Sequence, residues 1–314
     1  MTTHAQLPPP VRRGDRVGVA ALSGPAAPEC IEAGLDALAG LGFDPLPAAN
    51  LRRRHGLFAG CDDERLAALH ELADDPSIGA VLFLRGGWGT LRVLPRVDWR
   101  RLARRPLAWV GYSDLTPFLA AVVERLGLVA FHGPMVAADL ARGLAAEEAD
   151  SLLAALAGDW PREVAVEVDE SARGAAAVEG PLAGGCLSLL VSTVGTPFAP
   201  RLDGSILFVE DVDEPLYRLD RMLTHLDLSG SLTSVRAMIF GHLGCTDPPD
   251  SAAVPAPLRE TLAGLAGPLA WGLPAGHLAP NLTLPLGLRC RLEPAAGRLV
   301  LGAGGGTSGV EAAR

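Results

Sequence analysis

The chain has 314 residues, of which 49% are apolar, and this is enough to build the hydrophobic cores of two domains. Its formal net charge of −9, together with the lack of basic segments that interleave aromatic residues, excludes a nucleic-acid-binding surface. The five scattered cysteines show no CxxC spacing, so we expect neither a disulfide framework nor a zinc site. Residues 1–13 lack an apolar signal core, and no apolar run reaches the length of a membrane span. We therefore expect a reduced, cytoplasmic protein.

The first half of the chain alternates predicted strands with predicted helices. The strands are expected at 16–21, 80–84 and 107–110, and the helices at 27–41, 64–74, 115–126 and 145–157. This order predicts an α/β domain with a parallel sheet covered on both faces, as in flavodoxin-like and amidotransferase-like domains. In such sheets, ligands bind at the carboxyl ends of the strands.

The second half is different, because short apolar runs are separated by glycine and proline turns. Strands are predicted at 205–209, 235–240, 288–292 and 298–301, with only about two helices between them, one of which is at 215–226. We therefore expect a smaller, β-rich domain over 181–314, joined to an α/β domain over 1–158 by a linker at 159–180 that is rich in glycine, proline and charge.

Ser113 lies in the turn Gly111-Tyr112-Ser113-Asp114, between a predicted strand and a predicted helix. A serine there has backbone N–H groups and a helix N-terminus beside it, which is what an acyl-transfer nucleophile requires. The alternative is that Ser113, Asp114 and Thr116 only cap the helix, with Pro117 at its first position.

A second turn, Arg85-Gly86-Gly87-Trp88-Gly89, also follows a predicted strand. It matches neither the P-loop nor the dinucleotide fingerprint, so nucleotide binding is a weak interpretation. Glycine allows backbone N–H groups to approach a reacting oxygen, so the turn is either part of an oxyanion hole or a simple tight turn.

A nucleophilic serine needs a base and a group that orients the base, and the sequence offers several of each. Glu210 ends a predicted strand and opens an acidic cluster at 210–214, part of which is explained by the helix that follows. Three histidines lie beside glycine, namely His132, His242 and His277, and spacing alone does not choose among them. The acidic cluster has no accompanying histidine pattern that would predict a metal site.

Taken together, these turns resemble the LD-carboxypeptidase family, which includes muramoyl-tetrapeptide carboxypeptidases and microcin C immunity peptidases. The similar segments follow the family's order along the chain. They are 14–19 with 23–25, then 85–89, 111–114, 132–135, 184–188 with 195–197, 210–211 and 274–277.

The resemblance implies a serine peptidase that cleaves the bond to a terminal D-amino acid in cytoplasmic murein tetrapeptides, through an acyl-enzyme. It implies Ser113 as nucleophile, His277 as base and Glu210 as its orienting carboxylate. The oxyanion hole would be formed by backbone N–H groups of Asp114 and of the Gly86-Gly87 turn. A small peptide substrate, no cofactor or metal, no nucleic-acid or membrane partner and a homodimer are also implied.

Two residues of the glycine turn at 85–89 are expected to contact the substrate. They are Arg85, because of its charge and position, and Trp88 on the same turn. Two positions depart from the family pattern, since Trp88 replaces the usual tyrosine and Cys186 the common asparagine. Three other functions therefore stay open. They are an immunity-type peptidase or amidase acting on peptidyl- or aminoacyl-nucleotides, a hydrolase that uses Cys186, and a non-catalytic module that binds a nucleotide or peptide.

Overall fold

The computed structural model describes residues 5–169, 172–245 and 255–303. The strands in these ranges are β1 (Arg16–Ala20), β2 (Asp44–Pro47), β3 (Ile78–Phe83), β4 (Ala108–Gly111), β5 (Ala130–His132), β6 (Arg162–Ala165), β7 (Glu167–Val168), β8 (Val178–Cys186), β9 (Ile206–Glu214), β10 (Ala237–Cys245), β11 (Leu269–Trp271), β12 (Leu284–Leu286), β13 (Arg289–Glu293) and β14 (Arg298–Leu301).

Helices connect most of these strands. They are α1 (Pro28–Gly40), α2 (Asp62–Asp74), α3 (Thr90–Val93), α4 (Trp99–Leu102), α5 (Thr116–Leu126), α6 (Ala146–Ala157), α7 (Leu187–Thr193), α8 (Leu216–Leu228) and α9 (Ala256–Thr261). None of the helices in the described ranges is both long enough and apolar enough to span a bilayer.

The first sheet has the strand order β12-β5-β4-β3-β1-β2, and β1 to β5 are mutually parallel. Side chains alternate between its faces, as the strand period requires. Val81 and Phe83 pack in the core that contains α2 and α5, whereas Leu82 lies in the core that contains α1 and α6. The predicted α/β fold, with a parallel sheet covered on both faces, is therefore confirmed.

The second sheet has the order β6-β14-β13-β8-β9-β10-β11-β7. Its central strands β8 to β11 are parallel, and the strands that flank them are antiparallel. Residues from α7, α8 and α9 form a core on one face. On the other face, Phe208 and Ile239 belong to the same core as Trp109 of the first sheet, so one apolar core runs through both halves of the chain.

Three features were not predicted from the sequence. Strand β2 contains Pro45 and Pro47, which are tolerated because β2 is the edge strand. The predicted linker at 159–180 contributes β6 and β7 to the second sheet, and β12 from the second half pairs antiparallel with β5 of the first sheet. The division into two domains at 159–180 stays a prediction.

Candidate active site

Ser113 occupies a strained turn at the carboxyl end of β4. Its φ is +60°, and in the described residues Asp213 is the other non-glycine with positive φ. This left-handed conformation is costly for a residue with a Cβ, and such strain concentrates at functional sites. A 3₁₀ turn over Ser113–Leu115 then leads into α5. The serine therefore stands out of the sheet, where a bound molecule can reach it.

Two side chains from the second half converge on Ser113. The Nε2 atom of His277 lies 3.0 Å from Oγ of Ser113, and its Nδ1 atom lies 2.6 Å from Oε2 of Glu210. Glu210 lies on β9 and is fully buried. Of the three glycine-flanked histidines, His277 is the one with a hydrogen bond to Ser113 in the described part of the chain. His132 is buried instead, edge-on to Phe208 with a ring separation of 5.0 Å.

The electrostatics of His277 suit a base. Burial acts to lower the pKa of its imidazole, but the hydrogen bond and charge of Glu210, together with the charges of Asp211 and Asp139, outweigh burial and raise the pKa above the usual 6.5. An ionised Glu210 only accepts hydrogen bonds, so it places the proton of the neutral ring on Nδ1. Nε2 is then free to accept the Ser113 proton, and the arrangement can generate a nucleophilic serine oxygen.

The glycine turn packs directly against the serine. A Cβ built on Gly86 would lie 2.8 Å from both Cβ and Oγ of Ser113, so only glycine fits without a shift in the structure. The same point is 3.5 Å from the backbone nitrogen of Asp114. Gly87 has a φ of +112°, which favours glycine there as well. Backbone groups of the predicted oxyanion turns are therefore close to Oγ.

Asp114 does not cap α5, and that expectation is wrong. It is fully buried, and its Oδ2 accepts hydrogen bonds from the Thr90 backbone at 2.8 Å and from Ser23 Oγ at 2.6 Å. Burial raises the pKa of this carboxyl, although both hydrogen bonds oppose the shift. Asp114 therefore joins three turns, at the ends of β1, β3 and β4, and holds the glycine turn beside Ser113.

Thr116 is not an N-cap either. Helix α5 begins at Thr116, its N-cap position is Leu115, and the proline is at the second helical position. The Thr116 hydroxyl accepts a hydrogen bond from the Cys186 backbone at 3.1 Å. Both capping expectations fail for the same reason, since each polar side chain has a partner from another turn, far away in sequence.

Arg85 and Trp88 lie on the exposed side of the glycine turn. Arg85 donates to the carbonyl of Pro25 at 3.3 Å, and no carboxylate in the described residues pairs with it. Trp88 is 43% exposed, which is unusual for so large an apolar side chain. Both are available for contact with a bound molecule.

Cys186 ends β8, beside Glu210 in the sheet. Its thiol is buried, with Asp211 Oδ1 3.6 Å away and Ser188 Oγ 3.3 Å away. Burial and the two nearby carboxylates raise the pKa of this thiol well above its ordinary value. Because the thiolate is the nucleophilic form, this environment argues against a cysteine hydrolase.

The sequence reasoning missed Ser23 as a partner of Asp114, and it missed Asn281 and Glu148 behind His277. Ser23 carried a signal, since it follows a predicted strand and precedes Gly24-Pro25. Glu148 stands three residues after Ala145 at the start of α6, where it is explained as a helix-capping residue. No group of three histidine, cysteine or acidic side chains in the described ranges is arranged to hold a metal ion.

Comparison with known proteins places the chain in a family. The LD-carboxypeptidase N-terminal domain matches residues 17–133, and the LD-carboxypeptidase C-terminal domain matches residues 179–292. A probable murein peptide carboxypeptidase from Bacillus subtilis is 34% identical over 304 residues, which covers 95% of this chain and 94% of the relative. The chain therefore belongs to the LD-carboxypeptidase family.

Two further proteins are similar to this chain over most of its length. The crystal structure of a muramoyltetrapeptide carboxypeptidase from Oxalobacter formigenes superposes on this protein with a TM-score of 0.80 and a sequence identity of 33%. The match covers 91% of this chain and 97% of the Oxalobacter formigenes chain. The microcin C7 self-immunity protein MccF of Escherichia coli is 26% identical over 324 residues, with 93% of this chain and 94% of that protein covered.

Proposed function

We propose that this member of the LD-carboxypeptidase family is a serine peptidase that releases the terminal D-amino acid from murein tetrapeptides. The observation that carries the proposal is the hydrogen-bonded series from Ser113 through His277 to Glu210, which joins the two sheets. The family membership and the similarity to murein peptide carboxypeptidases support the choice of substrate.

In the proposed mechanism, Ser113 Oγ attacks the carbonyl carbon of the L-configured residue while His277 Nε2 takes its proton. Glu210 fixes the ring and stabilises the imidazolium that forms. Backbone N–H groups of Asp114 and of the Gly86-Gly87 turn stabilise the oxyanion. His277 then protonates the departing amine of the D-amino acid. Water, activated by the same imidazole, hydrolyses the acyl-enzyme and restores Ser113.

A carboxypeptidase must also recognise the free carboxylate at the end of its substrate, and we assign this role to Arg85. The support is its exposure, its position next to Gly86 and its lack of a carboxylate partner in the described residues. A guanidinium binds a carboxylate through two parallel hydrogen bonds. Trp88, on the same turn, would pack against the substrate beside it.

Arg85→Met is expected to raise KM for the tetrapeptide by about 10- to 100-fold and to change kcat less, since a hydrogen bond to a charged group contributes roughly 1.5–3 kcal/mol. The measurement is steady-state release of D-alanine from the free acid and from its C-terminal amide. The wild type should discriminate against the amide, and the variant should not. Arg13→Met, an exposed arginine before β1 at the opposite end of the sheet, is the control. Unaltered kcat and KM in Arg85→Met would exclude the assignment.

The proposed function is tested by incubating the protein with murein tetrapeptide and with a panel of peptidyl- and aminoacyl-nucleotide amides, and by identifying the products by mass spectrometry. Release of D-alanine from the tetrapeptide supports the proposal. Cleavage of the nucleotide amides alone would favour the immunity-type activity suggested by the similarity to MccF. Inertness to a fluorophosphonate probe, with nucleotide or peptide binding by calorimetry, would favour a non-catalytic module.

The proposal also includes action in the cytoplasm, without a cofactor or metal ion, and as a homodimer. Light scattering coupled to size-exclusion chromatography measures the assembly. Activity that persists after treatment with a chelator and dialysis is expected.

A further inference from the structure

The imidazole of His277 is carried by a segment that has no helix or strand of its own. Residues 272–283, between β11 and β12, are irregular. Irregular segments are more mobile than helices and strands unless other groups hold them. The alignment of His277 with Ser113 therefore needs support from outside the segment.

Asn281 supplies part of this support from within the segment. It is fully buried, and its Oδ1 accepts a hydrogen bond from the backbone N–H of Gly276 at 3.0 Å, one residue before His277. Its own backbone N–H donates to Glu148 Oε1 at 2.8 Å. Asn281 thus connects the His277 turn to helix α6 in the first half of the chain.

Glu148 is the point to which Asn281 is anchored. Its side chain is fully buried, and each carboxylate oxygen accepts two hydrogen bonds. Oε1 accepts from the Asn281 backbone at 2.8 Å and from Arg142 Nη2 at 2.6 Å. Oε2 accepts from the Ala145 backbone at 2.7 Å and from Arg142 Nη1 at 3.3 Å. Burial acts to raise the pKa of Glu148, but these hydrogen bonds lower it overall, so the carboxylate stays ionised.

A second route runs from Glu148 to the face of the imidazole. Arg142 also donates to Asp139 Oδ1 at 3.3 Å, and the same oxygen accepts from the Tyr112 hydroxyl at 3.3 Å. The Tyr112 ring stands edge-on to His277, with the ring centroids 5.0 Å apart. The carboxylate of Glu148 therefore supports both the backbone before His277 and the aromatic ring that packs on it.

We infer that Glu148 is a positioning residue that holds His277 in line with Ser113, through Asn281 on one side and through Arg142, Asp139 and Tyr112 on the other. The inference rests on the proposed function, because it requires that His277 activate Ser113. Glu148 does not touch the reacting atoms itself. Its effect is to keep the base within hydrogen-bonding distance of the serine, and small errors in such alignment cost large factors in rate.

The experiment measures how fast a fluorophosphonate probe labels Ser113, as a function of probe concentration and pH. This reaction depends on the activated serine and not on the natural substrate. In Glu148→Gln one carboxylate oxygen is replaced by an amide NH2 group, which cannot accept a hydrogen bond. Because both carboxylate oxygens of Glu148 accept hydrogen bonds, this NH2 group must face at least one N–H donor. We expect the maximal labelling rate constant to fall about 10- to 100-fold, with the half-saturating probe concentration and the pH midpoint unchanged.

Asn281→Ala removes the acceptor of the Gly276 N–H but leaves all four hydrogen bonds of Glu148 in place, since residue 281 donates to Glu148 through its backbone. It should reproduce the effect, and it decides the question if Glu148→Gln does not unfold cooperatively. Asp150→Asn is the matched control, since Asp150 lies on the same helix and its side chain is 64% exposed. The control should be labelled at the wild-type rate.

The failure modes are distinguishable. Ser113→Ala is the unlabelled reference. If the wild-type protein were no more labelled than this variant, the proposed function would be refuted, and the inference with it. A labelled wild type, with Glu148→Gln and Asn281→Ala labelled equally fast, would overturn the inference alone. A shifted pH midpoint with an unchanged maximal rate would also overturn it, because Glu148 would then act on the protonation of His277 and not on its position.

Discussion

Ser113→Ala is expected to lower kcat for tetrapeptide hydrolysis by roughly 10⁴- to 10⁶-fold, as removal of the nucleophile does in other serine hydrolases. The cause is specific, since the variant lacks the atom that lies 3.0 Å from His277 Nε2 and keeps the rest of the site. Single-turnover assays with a mass-spectrometric readout measure the residual rate. An acyl-enzyme, visible as an added mass on the wild type, should be absent from the variant.

The control for this prediction uses the strained backbone. Because Ser113 has a φ of +60°, alanine keeps the strain of the left-handed conformation and glycine relieves it. Ser113→Gly should therefore be as inactive as Ser113→Ala but have the higher Tm of the two, and the difference separates catalysis from stability. Residual hydrolysis above about one per cent of wild type in either variant would contradict the nucleophile role.

The parts of the site that depend on local sequence could be predicted. Ser113 and the turn from Arg85 to Gly89 follow strands whose apolar runs are continuous, because those strands are buried on both faces. The carboxyl ends of parallel strands share one edge of a sheet, so the strand order is enough to place the two turns near each other. The roles of Glu210 and His277 follow from the family resemblance, since local spacing does not separate His277 from His132 and His242.

The parts that depend on distant pairing could not be predicted. Asp114 and Thr116 look like helix caps because caps use the same side chains, and only the folded chain brings Ser23 and Cys186 to them. Glu148 is 133 residues away from Asn281, and nothing in the local pattern of α6 indicates a partner in the other half. Strand β12 is three residues long, and its pairing with β5 depends on the packing of both halves.

The second large effect is expected from Glu210→Gln, which should lower kcat by about 10⁴-fold. Replacing the triad carboxylate of another serine hydrolase by an amide lowers kcat by about this factor. Glutamine keeps the size of the side chain, but its amide can donate to Nδ1 and so favour the ring proton on Nε2. An imidazole with that proton cannot accept one from Ser113. Because a buried carboxylate is costly to desolvate, the change should leave Tm unchanged or raise it. Asp213→Asn, at the exposed end of the same strand, is the control and should retain activity.

The pH dependence tests whether Glu210 acts on His277. In the wild type the carboxylate of Glu210, with the charges of Asp211 and Asp139, raises the pKa of His277 above 6.5. On acidification the neutral imidazole is therefore lost at a pH above that value. The acidic limb of the kcat/KM profile should lie there. In Glu210→Gln the hydrogen bond to a carboxylate and its charge are gone, so burial, which lowers the pKa of a histidine, is opposed only by the charges of Asp211 and Asp139. The acidic limb should therefore move to lower pH while the plateau falls. A limb that does not move, together with a lowered plateau, would mean that the titrating group is not the imidazole paired with Glu210.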